Sequence, residues 1–218
     1  MGLDFLAGPE ALIPQAETEL LASAALEILR DLIRERGNAT VVDLCTGSGN
    51  LAVSLACHEK NCRVCAADLS EEAVSLARRN AAHLGVNDRV EARAGDLFEP
   101  IAHLLSSGKA DLIVCNPPYI SSRKVDALPG DVSRSGPRLA FDGGPFGLSI
   151  LSRVIQESPG FLRPDSFLCF EVGLGQGPGL LKLMQRMPAY AEVQAASDAQ
   201  GAVRVLIGRT QNAIDSLK

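Results

Sequence analysis

The chain has 218 residues, 46% of them apolar, a formal net charge of −5 and six cysteines in no regular framework. That size suits one globular domain burying roughly 70% of its unfolded surface without disulfide or metal staples, and the acidic balance argues against a dedicated duplex-DNA binder. No apolar run reaches the roughly 20 residues of a membrane span, Met1 to Asp4 lack an export signature, and Cys45, Cys65, Cys115 and Cys169 sit in apolar stretches. A cytoplasmic protein with reduced thiols and no membrane partner is expected.

The chain reads as a single domain over 1–218 with an opening helical segment at about 10–36. Leu20, Leu21, Ala24, Leu26, Ile28, Leu29 and Ile33 recur at helical spacing between Thr18 and Arg34, and Gly37-Asn38 stops them. Thr40 to Leu44 is a short β-branched run that enters the turn Thr46-Gly47-Ser48-Gly49, after which Leu51, Ala52, Leu55 and Ala56 resume a helical period. Arg63 to Ala67 is the next strand, closed by Asp68. Ser70 then caps a helix that runs to Leu84, with Glu71 and Glu72 in its first turn. Val90 to Ala94 and Asp111 to Cys115 are the third and fourth strands, the fourth apolar enough to be covered on both faces. This alternation predicts an α/β, doubly wound, mostly parallel sheet.

After Cys115 a long stretch rich in Pro and Gly, from Pro117 to Pro145, has little periodicity; such a stretch inside a compact domain is usually a lid or binding loop. A helix over Leu148 to Glu157, a strand over Phe167 to Val172 and a helix over Leu180 to Met187 follow. Two last strands, Ala191 to Ala195 and Val203 to Ile207, suit an antiparallel edge pair. Arg123, Lys124, Arg134 and Arg138 form the one basic cluster, read as a solvated loop face.

In an open parallel sheet, ligands bind beyond the carboxyl ends of the strands, and the informative residues all sit there. Asp43 to Gly49 follows strand one, Asp68 strand two, Asp96 strand three and Asn116-Pro117-Pro118-Tyr119 strand four. The Gly turn alone is ambiguous, because Gly47-Ser48-Gly49-Asn50-Leu51-Ala52 also satisfies the dinucleotide fingerprint, with Asp68 about 20 residues on. Either ligand would exploit the missing side chains for close backbone approach and Asp68 for two ribose hydroxyls. The fourth strand end is more specific. Two prolines stiffen a segment in which the Asn116 side-chain carbonyl and the Pro117 carbonyl can accept both hydrogens of a planar NH2 group, and Tyr119 offers an aromatic face to the substrate and a nearby cation.

These segments resemble the HemK/PrmC family, the release-factor glutamine methyltransferases, from Leu12 onward. The resemblance rests on Ile13 to Leu21 (IPQAETELL), Val42 to Asn50 (VDLCTGSGN), Ala67 to Ser70, Gly95 to Pro100 (GDLFEP), Asp111 to Ile120 (DLIVCNPPYI), Pro137 to Leu148 and Phe170 to Gly177 (FEVGLGQG). It implies the seven-stranded Rossmann-like methyltransferase sheet with S-adenosyl-L-methionine as cofactor and S-adenosyl-L-homocysteine as product. Cofactor contacts would come from Thr18, Asp43, Cys45, Thr46, Gly47, Ser48, Gly49, Asp68, Leu69, Asp96, Leu97 and Asn116. Asn116, Pro117, Pro118 and Tyr119 would hold a glutamine amide of a protein substrate, foremost the GGQ motif of a peptide chain release factor.

The sequence departs from that pattern at Gln15-Ala16, where Arg-Pro is usual, at Cys45 in place of the loop's first Gly, and at Gly136 in place of a Glu. The resemblance begins at the catalytic domain and leads to the expectation that the helical N-terminal domain of the bacterial enzymes is missing; the shorter eukaryotic relatives without that domain work with a small activating subunit, which makes such a partner part of the expectation here. A nucleic-acid methyltransferase acting on an exocyclic amino group is the alternative; DNA and RNA are less expected because the chain is acidic and has no target-recognition domain. A dehydrogenase would lack an acid-base His, since His58, His83 and His103 fall on helices. Cys57, His58, Cys62 and Cys65 superficially suggest zinc, but Cys65 falls inside an apolar strand and no second ligand pair follows, so no metal is expected.

Overall fold

A computed structural model describes residues 1–8, 11, 16–104, 109–127 and 137–212. Helix α1 (Ala16–Arg36) precedes β1 (Ala39–Leu44), α2 (Asn50–His58), β2 (Cys62–Asp68), α3 (Glu71–His83), β3 (Val90–Ala94), α4 (Glu99–Leu104) and β4 (Ala110–Cys115). Then come α5 (Ser122–Asp126), α6 (Ser149–Phe161), β5 (Leu162–Glu171), α7 (Gly177–Gln185), β6 (Tyr190–Ser197) and β7 (Val203–Thr210). The strands form one seven-stranded sheet in the order β3-β2-β1-β4-β5-β7-β6. The first five run parallel, and β7 pairs antiparallel with both β5 and β6. The βα alternation predicts the parallel, doubly wound part of this sheet, and the seven-stranded Rossmann-like order is the one that the resemblance implies.

Side-chain alternation along the strands divides the core into two layers. Val41, Val64, Leu112 and Val114 face α1, α2 and α3, where Leu21, Ala25, Leu29 and Leu32 supply one buried stripe of α1. Val42, Leu44, Ile113 and Cys115 face the other way, onto Ile101 of α4, Leu151 and Ile155 of α6, and Met184 of α7. Every residue of β4 is buried, as its continuously apolar sequence requires. Ser70 caps α3 by accepting from the Ala73 amide at 3.1 Å. No helix of the described residues is long and apolar enough to cross a membrane.

The helix expected to stop near Glu157 continues to Phe161 through Pro159. A proline there cannot donate to the Ile155 carbonyl one turn back, yet that carbonyl is served: the Tyr190 hydroxyl donates to it at 2.7 Å. The extra turn also stacks Phe161 on Phe98, ring centroids 4.4 Å apart. Strand β5 consequently starts at Leu162, five residues before the run that sequence picks out. The Pro- and Gly-rich stretch is not wholly irregular, since it holds α5 and a 3-10 turn over Arg138–Ala140. Leu12 to Gln15, Pro129, Gly130, Arg134 and Gly136 lie outside the described residues.

Candidate active site

The strand order reverses between β1 and β4, and a cleft opens there beyond the carboxyl ends, as the topology demands. Its empty space comes to about 960 Å³, including the mouth open to solvent. The floor is the turn after β1. Gly47 has φ 55° and lines the cleft, and among the described residues a Cβ added there would meet only the Ala11 methyl within 4 Å. Gly49 has φ 79° and backs so closely on Ala77 of α3 that a Cβ would fall 2.9 Å from the Ala77 Cβ. One glycine thus frees space for a ligand and the other permits helix packing. Cys45 also has positive φ, 55°, so the departure from glycine at this position puts a side chain where the backbone is left-handed.

Three carboxylates organise the cleft. Asp68 at the end of β2 accepts from the Gly47 amide at 2.8 Å and from the Ser70 amide at 3.0 Å, one bond to each oxygen, and burial pushes its pKa up. These bonds orient both oxygens and leave each a further lone pair. Asp96 also lines the wall, held by Arg153 at 2.8 and 2.9 Å. Asp142 is the third. Among the described residues no Lys or Arg lines the cleft, although Arg153 and Arg138 pair with Asp96 and Asp142 from beside it. The described wall thus offers no cation to the pyrophosphate of a dinucleotide, which favours the other reading that the Gly turn leaves open.

The cleft wall brings together Thr18, Cys45, Thr46, Gly47, Ser48, Asp68, Leu69, Asp96, Leu97, Asn116 and Pro118 from the residues singled out in the sequence. Asp43, Gly49, Pro117 and Tyr119 are not on it. Asp43 lies fully buried under the floor, where it accepts from the Thr46 hydroxyl at 2.6 Å and the Ala52 amide at 3.1 Å. Burial pushes its pKa up to about 7. Asp43 therefore shapes the turn from below. Cys62 packs into one core layer and Cys65 into the opposite one, so this pair cannot converge on a metal.

Beside the donor floor is a second, polar corner. The Asn116 Nδ2 donates to Thr18 Oγ1 at 3.0 Å, and Thr18 Oγ1 donates to Glu171 Oε2 at 3.2 Å. Tyr119 donates to Glu171 Oε1 at 3.0 Å, and Arg204 Nη2 lies 3.9 Å from the same oxygen and 3.6 Å from Glu17. With Nδ2 engaged by Thr18, Asn116 keeps Oδ1 as its acceptor atom. Gln176 fixes the backbone of this corner, its Nε2 donating to the carbonyls of Tyr119 (3.0 Å) and Gly147 (3.1 Å) while its Oε1 accepts from the Gly173 amide (2.8 Å). The returning loop adds a bridge between Ile120 and Asp142, with Ser122 Oγ donating to Asp142 at 2.6 Å.

Sequence reasoning missed Glu171, Gln176 and Asp142, although all three lie in segments that carried the resemblance. The available signal for Glu171 was a lone acid inside the apolar run Phe167 to Val172. Pro137, Leu139, Ala140 and Ile150 were also missed as cleft walls.

A family model described as "Methyltransferase small domain" matches residues 21–139. The release factor glutamine methyltransferase of Moorella thermoacetica is 39% identical over 207 residues, an overlap that spans 95% of this chain and 70% of that protein. The chain belongs to the release factor glutamine methyltransferase family. A ribosomal protein uL3 glutamine methyltransferase of Bradyrhizobium diazoefficiens is 43% identical over 136 residues, covering 62% of this chain and 41% of its own length. Among solved structures, the hMettl16 catalytic domain in complex with the MAT2A 3'UTR hairpin 1 superposes with a TM-score of 0.72 at 18% identity, over 96% of this chain and 77% of that one. At that identity the likeness speaks for the fold alone.

Proposed function

We propose that this chain transfers a methyl group from S-adenosyl-L-methionine to the side-chain amide nitrogen of a glutamine in a protein of the translation apparatus, foremost the GGQ motif of a peptide chain release factor, in the cytoplasm. The observation that carries this reading is the Asn116 amide on the cleft wall, anchored through Nδ2 to Thr18 so that Oδ1 is left as the acceptor. The names of the relatives support the amide as acceptor: release factor and uL3 glutamine methyltransferases share the same target group.

The cofactor fits the residues present. Asp68 would take the two ribose hydroxyls, the Cys45–Gly49 turn would cradle the nucleoside backbone, and Leu69 and Leu97 would flank the adenine near Asp96. When bound, the cofactor supplies an electrophilic methyl carbon on a sulfonium. Asn116 Oδ1 and the Pro117 carbonyl would accept the two N–H hydrogens of the glutamine amide, which fixes the NH2 plane and leaves its open face toward the donor. Tyr119 and the prolines keep that corner stiff. With that plane fixed, the amide nitrogen would be presented to the methyl carbon that the cofactor supplies, and its surplus proton would pass to water. No tuned base is required; alignment and water exclusion carry the rate.

The test is transfer of labelled methyl from S-adenosyl-L-methionine to release factors bearing Gly-Gly-Gln, with uL3, DNA and RNA in parallel, followed by mapping of the modified residue. One added methyl on a glutamine is expected. Label found only in nucleic acid would reject the reading in favour of the exocyclic-amine alternative. Turnover that requires an added small subunit would identify the activating partner.

A further inference from the structure

Glu171 touches neither the cleft nor the outward atom of Asn116, and the reading above assigns it no role. It is 1% exposed at the carboxyl end of β5 and receives hydrogen bonds from two elements, α1 through Thr18 and the loop after β4 through Tyr119. We propose that Glu171 is a positioning residue that sets the polarity of the Asn116 amide through Thr18, so that this corner accepts only groups that bring N–H donors.

The argument is one of proton counting. An ionised carboxylate can only accept, whereas a hydroxyl donates once and accepts through its lone pairs. Because Glu171 Oε2 claims the single Thr18 proton, Thr18 meets Asn116 with a lone pair. Only Nδ2 of Asn116 satisfies that lone pair, so the amide must turn Oδ1 outward. A free Asn side chain would have no such preference, because its two ends are nearly isosteric. Each link spans distant parts of the chain: Thr18 and Glu171 are 153 positions apart, Asn116 and Thr18 are 98 apart. Neighbouring side chains thus impose the acceptor character of the rim.

The charge around Glu171 is consistent with this role. From β7, Arg204 faces both Glu171 and Glu17, and its Nε has no hydrogen-bond partner among the described residues. Tyr119, Thr18 and Arg204 favour the ionised carboxyl; Glu17 and, most of all, burial oppose it and leave its pKa raised above the ordinary Glu range. When Glu171 takes up a proton on Oε2, that group can donate to Thr18, which frees the Thr18 proton for Asn116. The amide would then present NH2 outward, where it repels an incoming NH2 group.

The informative substitution is Glu171→Gln. Its amide oxygen would stay on the Arg204 and Tyr119 side, and its NH2 would face Thr18, so the relay runs backwards with no change of volume. This inference rests on an amide as the acceptor, and the experiment separates the two ideas. Expected for Glu171→Gln is a kcat about 100-fold lower, with affinity for S-adenosyl-L-homocysteine within about threefold of the original, as befits a residue off the cleft wall. Thr18→Ser, which keeps the hydroxyl, should stay within about fivefold, and Thr18→Val should fall with Glu171→Gln. In the unsubstituted protein the NMR resonance of the Asn116 side-chain NH2 should shift with pH as Glu171 titrates, and the shift should vanish in Glu171→Gln. A Glu171→Gln protein with kcat within threefold of the original, or an Asn116 resonance indifferent to pH in both, would overturn the relay. If the resonance behaves as described but no glutamine amide is ever methylated, the acceptor assignment fails and the relay stands.

Discussion

Replacing Tyr190 by Phe removes one atom, and the consequence can be worked out from its partner. The Tyr190 hydroxyl donates to the Ile155 carbonyl at 2.7 Å inside the second core layer, with both residues at most 5% exposed. In an ordinary helix that carbonyl would accept from the amide four residues on, but position 159 is proline and has none. Tyr190→Phe therefore strands a buried acceptor, at a cost of about 1–3 kcal/mol. In a chain of this size each kcal/mol lowers the melting temperature by about 2–4 °C. Urea denaturation and calorimetry of the two proteins would measure it. The decisive arm is a double-mutant cycle with Pro159→Ala, which restores an amide donor to the Ile155 carbonyl. In that background the penalty of Tyr190→Phe should shrink by at least half. An undiminished penalty would show that the hydroxyl acts through something other than the carbonyl that the proline leaves unserved, and a penalty below about 0.5 kcal/mol in the original background would refute the argument outright.

Asn116→Ala should lower methyl transfer by about two to three orders of magnitude while S-adenosyl-L-homocysteine still binds by calorimetry, because the lost group faces the acceptor; retained transfer would remove Asn116 from the mechanism. Asp43 has a folded pKa of about 7, above the unfolded value near 3.8. The folded state therefore binds the extra proton between those limits, and Asp43 makes the protein lose about 1.4 kcal/mol of stability for each pH unit gained across that window. Relative to Asp43→Asn, which does not titrate, the original protein should thus be at its best near pH 4 and decline towards pH 7, as read from denaturant midpoints; a constant difference would contradict the assignment. Gly147 has φ 70°, and a Cβ there would collide with the Tyr119 carbonyl. Gly147→Ala should cost about 1–2 kcal/mol from left-handed strain alone and depress transfer with little change in S-adenosyl-L-homocysteine affinity, since Gly147 is off the cleft wall; unaltered transfer kinetics would mean that the backbone of this corner tolerates displacement.

Much of the architecture was legible because its signals are local. Val41 and Val42, or Ile113 and Val114, face opposite layers by the period of two, and Ser70 caps α3 as its position before two acids implies. The rim was legible for the same reason: parallel strands with a reversal of order place residues 45–49, 68, 96 and 116 together whatever their loops do. What escaped notice depends on partners remote in sequence. Pro159 reads as a helix stop because the donor that compensates for it, Tyr190, lies on β6, 35 positions from the Ile155 carbonyl it serves. Glu171 reads as one acid in FEVG until α1 and β7 are folded against it. Asp142 gains meaning only when the returning loop pairs with Ile120, a single bridge with no periodicity to detect.

The polar corner is closed by residues far apart in sequence, Glu17 and Thr18 in α1 and Arg204 in β7, whereas the glycine floor is built from near neighbours, Cys45 to Ser48. During synthesis the floor is therefore laid down well before the corner that grips an acceptor is complete. Substitutions that loosen α1 or β7 should impair the choice of acceptor before they reach the floor.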